Sequence, residues 1–228
     1  MNIPILYADA NFVVLNKPAG LAVHPGPAGG PSVEDCFAEL SRRKDGPWLA
    51  HRLDSETAGC LLVALRKQKL LAAQAAFAAG LVRKTYWAVV CGGPSEDTGT
   101  TRAPLAKHSN RNGWRMQVDP AGQRAETAWK VLGRSATLTW LELTPHTGRT
   151  HQLRVHCADL GWPILGDTLY GTPGPGLHLL ARSLEVPLDP PISATAPPPP
   201  AMHTALKACG WTRAILPEVD QPCGEIAR

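Results

Sequence analysis

The stretch LAHRLDSETAGCLLVAL, residues 49–65, places His51, Arg52, Asp54 and Glu56 between two apolar runs. The second run, from Ala58 onward, is continuous, aliphatic and short, which reads as a buried strand. An unpaired charge inside such sequence costs on the order of several kcal/mol, so the cluster must be paired, at the surface or put to use. Arg52 and Asp54, two positions apart, would share one side of a strand. Spacing alone leaves two readings of Asp54: a structural partner for an arginine, or a working carboxylate kept ionised by a nearby cation.

Upstream, ILYADANFVVLNKP predicts two short strands around Asp9-Ala10-Asn11, a hairpin. PGPAGGP is a loop, and Ser32 caps a helix with Val33, Cys36, Phe37 and Leu40 on one face. Downstream, KQKLLAAQAAFAAG is an alanine-rich helix stopped by Gly80, followed by the strand VRKTYWAVVCG. ETAWKVL and ATLTWLELTP form a second hairpin about Gly133-Arg134-Ser135. HQLRVHCADLG is a helix with Leu153, His156, Cys157 and Leu160 on one face. PLDPPISATAPPPP (187–200) holds too much proline for a helix or central strand and predicts extended surface chain. A short helix, AMHTALKACG, and a polar tail follow. Hairpins outnumber crossovers, which predicts a mixed α+β fold with a largely antiparallel central sheet flanked by helices. The expected division is one catalytic domain over 1–186, with 187–228 packing on it.

The chain has 228 residues, 44% hydrophobic and 18% charged, an ordinary globular balance. No apolar run is long enough to span a membrane, and the opening MNIPILYADANFVVLNK lacks a basic leader, so a cytoplasmic monomer is expected. The six cysteines are scattered without a CxxC pair and read as small buried hydrophobes. Between residues 82 and 124, seven cations face three carboxylates, which accounts for the whole formal excess of +4. With Trp114 among them, these cations suit a polyanion surface; the alternative is a solvated loop.

ELTPHTGRTHQLRVHCADLGWPILGDTLYG (142–171) is the second informative stretch. A strand ends at Pro145, and a turn carrying Arg149 leads into a helix, an arrangement that attracts anions. No GxxxxGK[ST] occurs, which disfavours an ATPase. His151 and His156, five apart, diverge by roughly 140° around a helix and make poor co-ligands for a metal. His156 on the apolar face reads as a satisfied core histidine. Ser55 lacks a GxSxG frame and stands between two acids, which argues against serine hydrolysis.

NKPAGLAVHPG, HRLDSETAG, RKTYWAVV, AETAWKVL and TPHTGRTHQLRVHCADLGWPILGDTLYG resemble, in order and spacing, the motifs of RluA-type RNA pseudouridine synthases. The likeness runs from about residue 5 to 185, and the HRLD and TGRxHQ(I/L)R blocks are its most specific parts. The resemblance implies a cleft across the middle of the sheet and isomerisation of uridine in structured RNA, ribosomal or transfer. It implies Asp54 as the catalytic aspartate and Arg52 as the residue that helps displace the target nucleotide. It further implies that Tyr86 packs on the base and assists proton removal, and that Arg149 is the basic partner of the aspartate. Leu153 would add apolar surface for the extruded base. The reaction gains no atoms and changes no oxidation state, so no metal or cofactor is expected. Many relatives begin with a small RNA-binding domain, whereas this chain starts at the catalytic core. The expected RNA contacts are therefore in the basic 102–124 stretch, Arg111 and Arg115 foremost. Ala58 stands where a serine is common. Two other readings remain: an RNA-binding or RNA-folding module without turnover, and a hydrolase of small phosphorylated compounds using the turn at 147–150.

Overall fold

Apolar sequence on both sides of the charged stretch becomes strand. The computed structural model describes residues 2–26, 29–43, 45–111 and 113–212, the side chain of Asn110 apart. Along the chain run β1 (Ile5–Ala8), β2 (Phe12–Lys17), α1 (Phe37–Leu40) after a 3-10 turn, β3 (Trp48–Leu49), β4 (Ala58–Ala64) and α2 (Lys67–Ala78). Then come β5 (Arg83–Cys91), β6 (Thr98–Thr101), β7 (Leu105–Asn110), β8 (Gly113–Val118), β9 (Thr127–Arg134) and β10 (Leu138–Pro145). α3 (Gln152–Asp159), β11 (Leu179–Val186), β12 (Ile192–Thr195) and α4 (Pro200–Ala208) complete the mixed α+β fold. The chain divides into two compact units, Met1–Lys84 with Ala181–Pro197, and Thr85–Leu180 with Pro198–Thr212.

In the first unit the strand order is β1-β2-β4-β11, with β12 beside β11 and β3 against the end of β4. The β1–β2 hairpin turns at Asp9, whose Oδ1 accepts from the amides of Asn11 and Phe12, both at 2.7 Å. All seven residues of β4 are buried, as the unbroken apolar run predicts. The proline-rich segment does supply a strand, β12, antiparallel to β11 with Ile192 opposite Val186. The prolines flank this strand, Pro190 and Pro191 before it and Pro197 after it, and its four residues contain none.

The second unit has the antiparallel order β5-β10-β9-β6. Strand β10 alternates strictly, with Thr139, Leu141, Leu143 and Pro145 buried. Its inward residues meet Ala88, Val90, Leu153, Cys157, Trp162 and Ile164 in one apolar cluster. Gly133, in the β9–β10 hairpin, is required by close approach: a Cβ there would lie 1.9 Å from the Cys209 carbonyl oxygen at the end of α4. The basic stretch is a two-stranded hairpin, β7–β8, with Lys107 opposite Met116. Four of the five described cysteines are buried. The polar tail lies outside the described residues.

Candidate active site

The HRLD residues leave β3 and loop out before β4. Ala50 still donates to the Leu62 carbonyl at 3.0 Å. At the next position a side chain replaces the backbone, because His51 Nε2 accepts the Leu62 amide at 3.0 Å. The main chain is thereby free to turn outward while the ladder stays closed. Arg52 is exposed, Leu53 is buried, Asp54 is half-buried and Thr57 is buried. The Asp54 carbonyl closes the turn by accepting from the Thr57 amide at 3.1 Å.

Since Nε2 is an acceptor, this assigns the neutral tautomer of His51 with its proton on Nδ1. Burial, reinforced by the Lys84 charge and opposed by a backbone hydrogen bond at Arg52, pushes its pKa down to about 4. The unfolded chain takes up this proton near the ordinary value of 6.5, so stability present above 6.5 is lost as pH falls through 4. Allowing for partial exposure, the loss between pH 7 and 4.5 is about 2 kcal/mol. Urea unfolding of His51→Gln, which keeps an acceptor but does not titrate, should show a pH dependence weaker by that amount. Identical pH profiles for the two proteins would refute it.

Lys17 lies in the NKPAG block, where sequence gives it no role, yet it ties that segment to the loop. It is fully buried. Its Nζ donates to the carbonyls of Pro18 (2.9 Å), Leu21 (2.7 Å) and Ser55 (2.8 Å), the full donor capacity of an ammonium. Gly20 donates to the same Ser55 carbonyl at 2.8 Å. The NKPAG segment and the turn after Asp54 are therefore fastened together by one side chain. Burial lowers the Lys17 pKa to about 8, and the Asp54 charge opposes that shift. At neutral pH the amine remains an ammonium.

In the second unit, Tyr86 lies opposite Leu143 in the β5–β10 register and packs, partly exposed, against the apolar cluster that contains Leu153. Leu153 is 6% exposed and is chiefly core. Arg149 is exposed on the loop after β10, with its Nε donating to the Arg124 carbonyl at 3.0 Å. The loop is held by Gln152, a second residue that sequence reasoning misses although it lies in the TGRTHQ block. Its Oε1 accepts from Thr147 Oγ1 (2.6 Å) and the Arg149 amide (3.0 Å). Its Nε2 donates to the Glu126 carbonyl (2.9 Å) and Thr127 Oγ1 (3.0 Å). All four hydrogen-bonding positions of the amide are used, and the residue is buried. His156 is the satisfied core histidine expected, with Nδ1 2.9 Å from Thr127 Oγ1 and Nε2 3.0 Å from the Ala103 carbonyl. Arg111 and Arg115 are both exposed on the β7–β8 hairpin. Thus Arg52 and Asp54 share one loop of the first unit, while Tyr86, Arg149, Leu153, Arg111 and Arg115 belong to the second.

Each of the two loops is pinned by a buried polar side chain, Lys17 or Gln152, and each presents an exposed arginine, a group that pairs well with phosphate. The family model described as RNA pseudouridylate synthase matches residues 11–159, and the chain belongs to that family. It is 40% identical to an uncharacterized RNA pseudouridine synthase of Zymomonas mobilis, over 86% of this chain and 94% of that one. It is 39% identical to the ribosomal large subunit pseudouridine synthase C of Rickettsia conorii, over 73% of this chain and 56% of that one. The chain therefore spans nearly all of the first relative and little more than half of the second. Among solved structures, the human RNA pseudouridylate synthase domain containing 4 superposes with a TM-score of 0.76 at 28% identity, covering 90% of this chain and 92% of that one. Among the described residues no helix is long and apolar enough to cross a membrane.

Proposed function

We propose that this protein isomerises uridine to pseudouridine in structured RNA, with Asp54 as the reacting carboxylate. The observation that carries the reading is the loop at 50–57, tied down through His51 and Lys17, with Asp54 half-buried and its charge acting on the buried Lys17. The ionised carboxylate acts on the ribose, either by attacking C1′ or by taking the C2′ proton. The C1′–N1 bond breaks, the uracil turns, and a C1′–C5 bond forms. C5 then loses its proton and N1 gains one, so no atoms or electrons are left over. Arg52 helps to displace the target nucleotide from its stack, which costs about a few kcal/mol. Tyr86 supports the extruded base and assists removal of the C5 proton, with Leu153 contributing at the edge of the core. Arg149 supplies cationic support to the carboxylate, and Arg111 and Arg115 contact phosphates.

The relatives named as ribosomal large subunit synthases make ribosomal RNA the first substrate to test, with transfer RNA second. RNA labelled with tritium at uracil C5, isolated from a strain lacking the gene, should release tritium when the purified chain is added. Turnover should leave pseudouridine at specific positions that are unmodified in the starting RNA. The absence of release from both ribosomal and transfer RNA would overturn the proposal.

A further inference from the structure

The β7–β8 hairpin carries a cluster that the proposed chemistry does not use. Trp114 is 46% exposed, yet its orientation is fixed. Its indole stacks on the His151 imidazole with ring centroids 5.3 Å apart and planes 23° apart. His151 Nδ1 pairs with the Tyr170 hydroxyl at 2.8 Å. That hydroxyl also accepts the Met116 amide at 3.0 Å, which returns the chain of contacts to the strand carrying Trp114. Beneath it, the Arg154 guanidinium lies 5.4 Å from the centre of the Tyr170 ring. His151 has φ 52°, the sole positive value at a non-glycine among the described residues. Such a conformation persists where its surroundings over-determine it, and it concentrates at ligand clamps and active sites.

The outcome of all these contacts is a large aromatic held rigidly in solvent. Around it are cations: Lys107 Nζ rests 4.6 Å from the centre of the indole, and Arg111 and Arg115 are exposed on the same hairpin. A rigid aromatic platform edged by positive charge is what an unpaired nucleobase and its phosphates require. A cation over an exposed ring is held more weakly than a stacked base, so a base can displace Lys107. The released ammonium is then within reach of a flanking phosphate.

We propose that Trp114 is a stacking platform for an unpaired nucleobase of the RNA. His151 and Tyr170 act as positioning residues that hold it, and Lys107 occupies the platform until the base arrives. This rests on the RNA reading above and adds a contact distinct from the reacting uridine.

The test uses the full chain and the tritium-labelled ribosomal RNA described above, with filter binding and tritium release as separate readouts. Trp114→Ala should weaken binding about tenfold and Trp114→Phe should restore most of it, with the loss appearing in KM rather than kcat. His151→Asn, which tolerates the left-handed backbone, should reproduce the loss and add little to Trp114→Ala. Unchanged affinity in Trp114→Ala, or a loss matched by a fall in its melting temperature, would overturn the proposal. Binding by the wild type that depends on Trp114, without tritium release, would sink the isomerase reading and leave the platform standing. No binding by the wild type would sink both.

Discussion

Asp54→Asn is expected to bring tritium release down by about 10³-fold or more while RNA affinity changes by less than about threefold. The asparagine side chain has nearly the same shape, and the fastenings of the loop at 50–57 through His51, Thr57 and the Ser55 carbonyl remain. What disappears is the negative charge and with it both chemical roles open to the group. The fold should register the change at Lys17. Loss of the Asp54 charge removes the influence that raises the Lys17 pKa and leaves burial to lower it further from about 8. The three carbonyl acceptors remain, so the stability cost should be modest, about 1 kcal/mol. Single-turnover tritium release with the variant in excess over RNA separates chemistry from binding. Turnover at the wild-type rate would remove Asp54 from the mechanism. A large loss of affinity with the chemical rate intact would reassign it to substrate binding.

Much of the molecule is legible in its sequence, and the reasons are local. Strand β4 shows as an unbroken apolar run, α2 as alanine-rich sequence ending at Gly80, and β10 as strict alternation. In each case the signal and its cause lie within one segment. The β7–β8 hairpin is harder to read because its residues are mostly polar, and Leu105 and Met116 are its buried apolar members. A strand with so few inward apolar positions carries almost no period-2 signal. Strand β12 is hidden because it is only four residues long and is flanked on both sides by prolines. Within the site, the HRLD and TGRTHQ blocks mark the two loops but not what holds them. Lys17 reaches a carbonyl 38 residues away and Gln152 one 26 residues away. Their partners are backbone atoms, available at every residue, so sequence offers no hint of which carbonyls will be near. Residues that meet substrate stand out through their chemistry; residues that position them depend on the completed fold.

Arg154→Met should destabilise the protein by about 3–5 kcal/mol, the largest stability effect expected outside the apolar core. Arg154 is 2% exposed and Asp167 is fully buried. They form a two-pronged pair, Nε to Oδ2 at 2.8 Å and Nη2 to Oδ1 at 2.7 Å. Oδ1 also accepts the amides of Leu169 (2.9 Å) and Tyr170 (3.1 Å). Burial pushes the Asp167 carboxyl upward, but the hydrogen bonds and charge of Arg154, helped by those two amides, outweigh it and hold the pKa below the usual value. In the wild type this pair contributes stability that is lost as pH falls through the lowered pKa. Without Arg154, desolvation dominates and the carboxyl titrates above its unfolded value. Its sign then reverses: the variant regains stability as pH falls and the group is neutralised. The deficit relative to wild type should therefore be larger at pH 8 than at pH 5, measured by urea unfolding at each. Replacing Asp167 with leucine in the same protein should recover part of the loss, because the unpaired buried charge is removed. A deficit below about 1 kcal/mol at pH 8, or one that grows as pH falls, would show that the pair does not anchor α3. The same ion pair supports the segment bearing Tyr170, so in Arg154→Met the contacts of Trp114 should loosen as well, linking the stability of this unit to its grip on RNA.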